Sequence, residues 1–145
     1  MKLNELSKRI ANHLAVEELE IKFDKIIDDS RLYPKEGLIV ISEKYKENYI
    51  ECAKSLTHEY RHVFQIYYAN LVNDELAKIW REELNSVVTS GNTGYEMQLL
   101  EIDAFAFSQY YLENVEGIKT EHPNKEYQII IDNYKKNYKN YFFLL

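Results

Sequence analysis

Leu56-Thr57-His58-Glu59-Tyr60-Arg61-His62-Val63-Phe64 places two histidines four residues apart, with a glutamate directly after the first. Tyr45, Tyr49, Cys52 and Leu56 lead into it, and Val63 and Tyr67 follow, all at helical intervals. The spacing predicts one long helix ending near residue 71, with Ser42 as its N-cap and Glu43 in the first turn. At 3.6 residues per turn, positions four apart lie almost one above the other, so both imidazoles can reach a single ion at about 2.0–2.1 Å. Glu59 then points to the neighbouring side, where it can take a proton from water at that ion and serve as a general base.

Upstream, Leu3, Leu6, Ile10 and Leu14 recur at helical spacing and predict an amphipathic helix over 2–18. Residues 20–27 alternate as a strand does, and Leu38, Ile39, Val40 and Ile41, after the turn signals Pro34 and Gly37, predict a second; two or three strands are expected. Downstream, Asn73 reads as the cap of a third helix, with Asp74 and Lys78 as an i,i+4 pair and Leu76, Ile79, Trp80 and Leu84 inward. Residues 89–94 hold two of the four glycines and read as a loop, placed to act as a lid. A helix rich in Leu, Ile, Phe and Tyr is expected from Tyr95 to about Val115. A last one runs from Lys125 to Phe143, with Tyr127, Ile130, Tyr134, Tyr138 and Tyr141 on its docked side. The pattern predicts an α+β fold, mostly helical with a small N-terminal sheet or hairpin, in a single domain over 1–145.

Hydrophobic residues make up 46% and charged residues 29%, the composition of a globular chain, with no apolar run of membrane-spanning length. A net charge of -6 disfavours nucleic acid and anionic membrane as partners, because both demand a basic surface. The lone cysteine, Cys52, forms no internal disulfide, and the N-terminus lacks the apolar core of a secretion signal; both predict a cytoplasmic setting. His13, His122 and Cys52 have no ligand spacing to other residues and read as structural.

A catalytic zinc site needs a third protein ligand. Glu101 and Asp103 both lie in Leu99-Leu100-Glu101-Ile102-Asp103-Ala104-Phe105-Ala106-Phe107, a helix too apolar to face solvent, where a carboxylate needs a cation. Two residues apart on a helix is about 200°, so only one of them can face the metal. Glu101 is the expected ligand; Asp103 is expected to fix a ring orientation or to pair with a buried cation.

Taken together, His58-Glu59-x-x-His62 and Glu101-x-Asp103-Ala104-x-Ala106 resemble the gluzincin metallopeptidases. Among these the likeness is to the minigluzincins and the ImmA/IrrE-type peptidases, over roughly residues 36–115. The resemblance implies a zincin-like fold, zinc as the cofactor, Glu101 as its third ligand, and hydrolysis of a peptide or protein substrate. It also implies a strand at 38–41 bordering the cleft and pairing with substrate, and a Tyr or His that stabilises the oxyanion, for which Tyr95 is a candidate. The chain departs from the pattern in three places. Arg61 puts a charge between the histidines, Phe105 stands where relatives often carry a supporting Asp or Asn, and the segment between His62 and Glu101 is long. The alternative reading is a non-catalytic zinc-binding regulatory or interaction domain on the same fold, against which the presence of Glu59 counts. A third is a metal-assisted hydrolase acting on other substrates.

Overall fold

The computed structural model describes residues 2–85 and 98–143, and their side chains as far as residue 137. Helix α1 (Lys2–Leu14) is followed by strands β1 (Glu20–Asp24), β2 (Ser30–Tyr33) and β3 (Leu38–Ser42). Four further helices are described: α2 (Tyr49–Leu71), α3 (Glu75–Asn85), α4 (Leu99–Asn114) and α5 (Lys125–Phe143). The architecture is α+β and mainly helical, with a small sheet near the N-terminus. No helix among the described residues is long and apolar enough to cross a membrane.

The sheet order is β1-β3-β2, with β1 parallel to β3 (Phe23 opposite Ile41) and β2 antiparallel to it (Leu32 opposite Ile39). Strand β3 is therefore the central strand, and Ile39 and Ile41, both fully buried, carry the sheet onto the helices. The chain enters it through a 3-10 turn at Pro34–Glu36, closed by Gly37 at φ 62°, a left-handed conformation that glycine adopts without a Cβ clash.

Helix α2 is the axis. Leu56 and Tyr60 sit in the core with Leu6, Ile10, Phe107 and Tyr111, and the Tyr60 hydroxyl bonds Ser7 Oγ (2.6 Å) and accepts the Leu19 N–H (2.8 Å). Those two bonds tie α1 and the start of the sheet to the helix that carries the histidines. Helix α4 is apolar nearly all round and lies alongside α2, as a helix with no solvent face must.

Several boundaries differ from expectation. Ser42 does not cap α2: it ends β3, and after a 3-10 turn at Glu43–Tyr45 the cap is Asn48, whose Oδ1 accepts the Glu51 N–H at 3.1 Å. Helix α3 is capped not by Asn73 but by Asp74, whose Oδ1 takes the Ala77 N–H at 2.8 Å. The first helix stops at Leu14 rather than residue 18, and β1 stops at Asp24, whose side chain takes the Lys25 N–H at 2.8 Å. Tyr127 and Tyr134 of α5 are buried as expected, with Ile131 between them; the side chains of Tyr138 and Tyr141 lie outside the described residues.

Candidate metal centre

His58 and His62 stand one turn apart on α2, and Glu101 faces them from the first turn of α4. That turn is held by α3: the Glu83 carboxylate accepts the Leu99 and Leu100 N–H groups at 2.8 and 2.7 Å, binding two donors the helix itself leaves unused. Glu101 Oε1 lies 3.0 Å from His58 Nε2 and Oε2 lies 3.0 Å from His62 Nε2, while the two Nε2 atoms are 3.2 Å apart. Donors bound to one tetrahedral zinc at about 2.05 Å lie roughly 3.3 Å apart, so this set has close to the right spread.

The hydrogen bond behind His62 defines what its ring nitrogens are. The Gln65 amide nitrogen donates to Leu100 O (2.9 Å) and to Asp103 Oδ2 (2.7 Å), two groups that can only accept. Gln65 Oε1 must therefore face His62, and at 2.7 Å it accepts the Nδ1–H. With its hydrogen on Nδ1, neutral His62 turns a bare Nε2 lone pair toward the Glu101 carboxylate. Two acceptors 3.0 Å apart require a cation between them, either a metal ion or a proton. The electrostatics agree: burial works against charge on His62, yet the Glu101 carboxylate and its hydrogen bonds push the imidazole up to about 10. For Glu101 burial is likewise outweighed, by His62 and His58, and the carboxyl is held well below its usual range.

Asp103 lies on the opposite side of α4 from the histidines, as its position two residues on requires. It is fully buried and pairs with fully buried Arg61 through Nε (2.7 Å) and Nη2 (3.2 Å), while the Tyr134 hydroxyl donates to Oδ1 at 2.5 Å. Of the two roles expected of it, pairing with a buried cation is the one seen directly; its Oδ2 also accepts from the Gln65 amide whose oxygen faces His62. The charge between the histidines is thus placed away from the cluster, the Arg61 guanidinium lying over Phe64 and Phe107 at 4.6 and 5.0 Å. His58 is held differently, its ring packed on Phe105 at 4.4 Å, and its buried Nδ1 has no hydrogen-bond partner among the described residues.

Glu59 is buried beside the pair, and Ser30 Oγ of β2 donates to its Oε2 at 2.6 Å. All four residues line one cleft of about 700 Å³, whose walls also include Arg31 and Leu32 of β2, Phe105, and His122 from the loop before α5. The strand at the cleft is β2. Strand β3, expected there, has both edges occupied by β1 and β2 and cannot pair with a substrate. Tyr95 and the loop at 89–94 lie outside the described residues. Sequence reasoning missed Gln65, whose signal was its position three residues after His62, and Ser30, for which no local pattern exists. The chain matches no family model, no curated protein and no solved structure.

Proposed function

We propose that this chain is a zinc-dependent metallopeptidase of the gluzincin kind, with His58, His62 and Glu101 as its metal ligands and Glu59 as its general base. The observation that carries the reading is the commitment of Gln65, which leaves His62 Nε2 and Glu101 as facing acceptors with a cation required between them. Imidazole and carboxylate together suit zinc among the common divalent ions. Zinc held there supplies a Lewis acid that acidifies water to a pKa of about 7 and polarises a carbonyl group.

The chain's own residues account for the rest. Glu59, fixed through Oε2 by Ser30, takes a proton from the attacking water and delivers it to the nitrogen of the scissile bond. The hydroxyl adds to the carbonyl carbon, the C–N bond breaks, and the products are a carboxylate and an amine. Strand β2 has no partner on its outer side among the described residues and lies in the cleft wall, so an extended peptide can lengthen the sheet there.

Glu59→Gln tests the reading, because glutamine keeps the shape but accepts no proton. Zinc content and fold should be unchanged, while cleavage of unstructured protein substrates should fall by about 10²–10⁴-fold. Equal product from wild type and variant would contradict it.

A further inference from the structure

The residues of α2 that line the cleft run from Glu51 through Lys54, His58 and His62 to Ile66, at intervals of three and four. That stripe is one helix face about 22 Å long, so the cleft follows the axis of α2 with the His58, His62 and Glu101 cluster near its middle. Helix α4 runs beside it in the opposite sense: Leu100 O accepts from Gln65, Glu101 meets His58, and Ser108 Oγ lies 2.6 Å from Thr57 Oγ1.

The chemistry of the walls changes along this axis. Before His58 the lining is polar, with Glu51, Lys54, Ser55 and Gln109. Past His62 it is apolar, with Leu32 of β2, Ile66 of α2, Leu84 of α3 and Leu100 of α4. Polar side chains at this second end are committed within the protein. Gln65 gives its amide hydrogens to Leu100 O and Asp103 and its oxygen to His62, and both oxygens of Glu83 hold backbone N–H groups of α4. Gln98, just before α4, is also in the lining. Leu84 and Leu100 pack with Leu76 and Trp80, so the wall is backed by core. Leu32, Ile66 and Leu84 are only half-buried by the fold itself, which leaves apolar surface in the cleft for a ligand to cover.

Strand β2 fixes which side of the bond this end serves. Its first residue, Ser30, bonds Glu59, and Pro34, just past its last, shares a second hollow with Val63, Ile66 and Tyr67. Strand β2 therefore runs the same way as α2. A peptide paired antiparallel with β2, the commoner sense, lies with its N-terminal residues at the Ile66 end.

We propose that Leu32, Ile66, Leu84 and Leu100 form a specificity subsite for a bulky apolar side chain on the acyl side of the scissile bond. This rests on the metallopeptidase reading above. It gives the long segment between His62 and Glu101 a purpose: α3 holds the first turn of α4 through Glu83 and brings Leu84 to the subsite.

The test uses the zinc-loaded full chain. Cleavage sites mapped in unstructured proteins should be enriched in Leu, Ile, Phe or Met on the acyl side. Two peptides built on such a site, differing only in Leu or Ala at the enriched position, should differ about 10–200-fold in kcat/KM. Zinc-loaded Glu59→Gln should bind them in the same order of affinity. Ile66→Ser and Leu84→Ser should each cut the Leu-to-Ala ratio several-fold. A general loss of stability or of zinc lowers both rates alike and leaves that ratio where it was. Cleavage without acyl-side enrichment, or a ratio unmoved in both variants, overturns the inference and leaves the metallopeptidase reading standing. A wild type that takes up no zinc and cleaves nothing overturns both.

Discussion

At the scale of single residues, the proposed metal site depends on a side chain that stands behind its ligands. Gln65 spends both amide hydrogens on Leu100 O and Asp103 and so has only its oxygen to offer His62. Gln65→Leu removes that acceptor, frees the imidazole to rotate, and should weaken zinc binding about 10–100-fold, read by competition against a chelator of known affinity. Unchanged affinity would show that packing alone orients the ring. The histidine pair and the glutamate between them were legible in the sequence because helical spacing alone brings positions 58 and 62 together. The choice between Glu101 and Asp103 was legible as a choice, since both carboxylates sit in an apolar helix. What Asp103 pairs with was not, because Arg61 and Tyr134 reach it from two other helices.

At the scale of elements, the helices followed the periodicity of their apolar residues, and their ends did not. Ser42 and Asn73 have the chemistry of caps, but a cap works only where the chain enters the helix: sheet pairing and a 3-10 turn moved the first entry to Asn48, and the third helix is entered one residue later, at Asp74. Strand β2 was invisible because Ser30-Arg31-Leu32-Tyr33 is short, and its pairing with β3 is a long-range fact. Asp74 offers a test of this level. Its carboxylate caps α3 and also accepts the Tyr68 hydroxyl from the end of α2, so Asp74→Ala should cost about 1 kcal/mol in urea unfolding at neutral pH. The Tyr68 hydrogen bond, opposed by burial and aided by the Ala77 N–H, holds the Asp74 pKa below its ordinary 3.8. A lowered carboxylate pKa stabilises the fold fully above the ordinary value and loses that contribution as pH falls through the lowered one. The difference between wild type and Asp74→Ala should therefore be constant from pH 7 to about 5 and shrink below about 4. A difference that grows in acid would contradict the assignment.

At the scale of the whole molecule, the His58, His62 and Glu101 cluster joins two helices that are distant in sequence. Strand β2 holds Glu59 from one side, and α5 holds Asp103 from the other. An ion bound there stabilises only the assembled state. Zinc at 100 times its Kd should add about 2.7 kcal/mol, which for a chain of this size raises Tm by roughly 10 °C. The same zinc should leave Glu101→Gln almost unmoved. Composition and periodicity made the α+β class legible, because burial sets which faces must be apolar. The order β1-β3-β2 and the entry of His122 into the cleft were not, since each is decided by contacts between segments whose own sequences carry no mark of them. The proposed reaction depends on His58, His62 and Glu101 together holding one zinc ion. Metal analysis of the purified chain after equilibration with micromolar zinc and removal of the free ion tests it most directly. About one zinc per chain is expected in the wild type, with a near-complete loss in His62→Ala; a wild type that retains no zinc, or an equal content in both proteins, would contradict the proposed metal site.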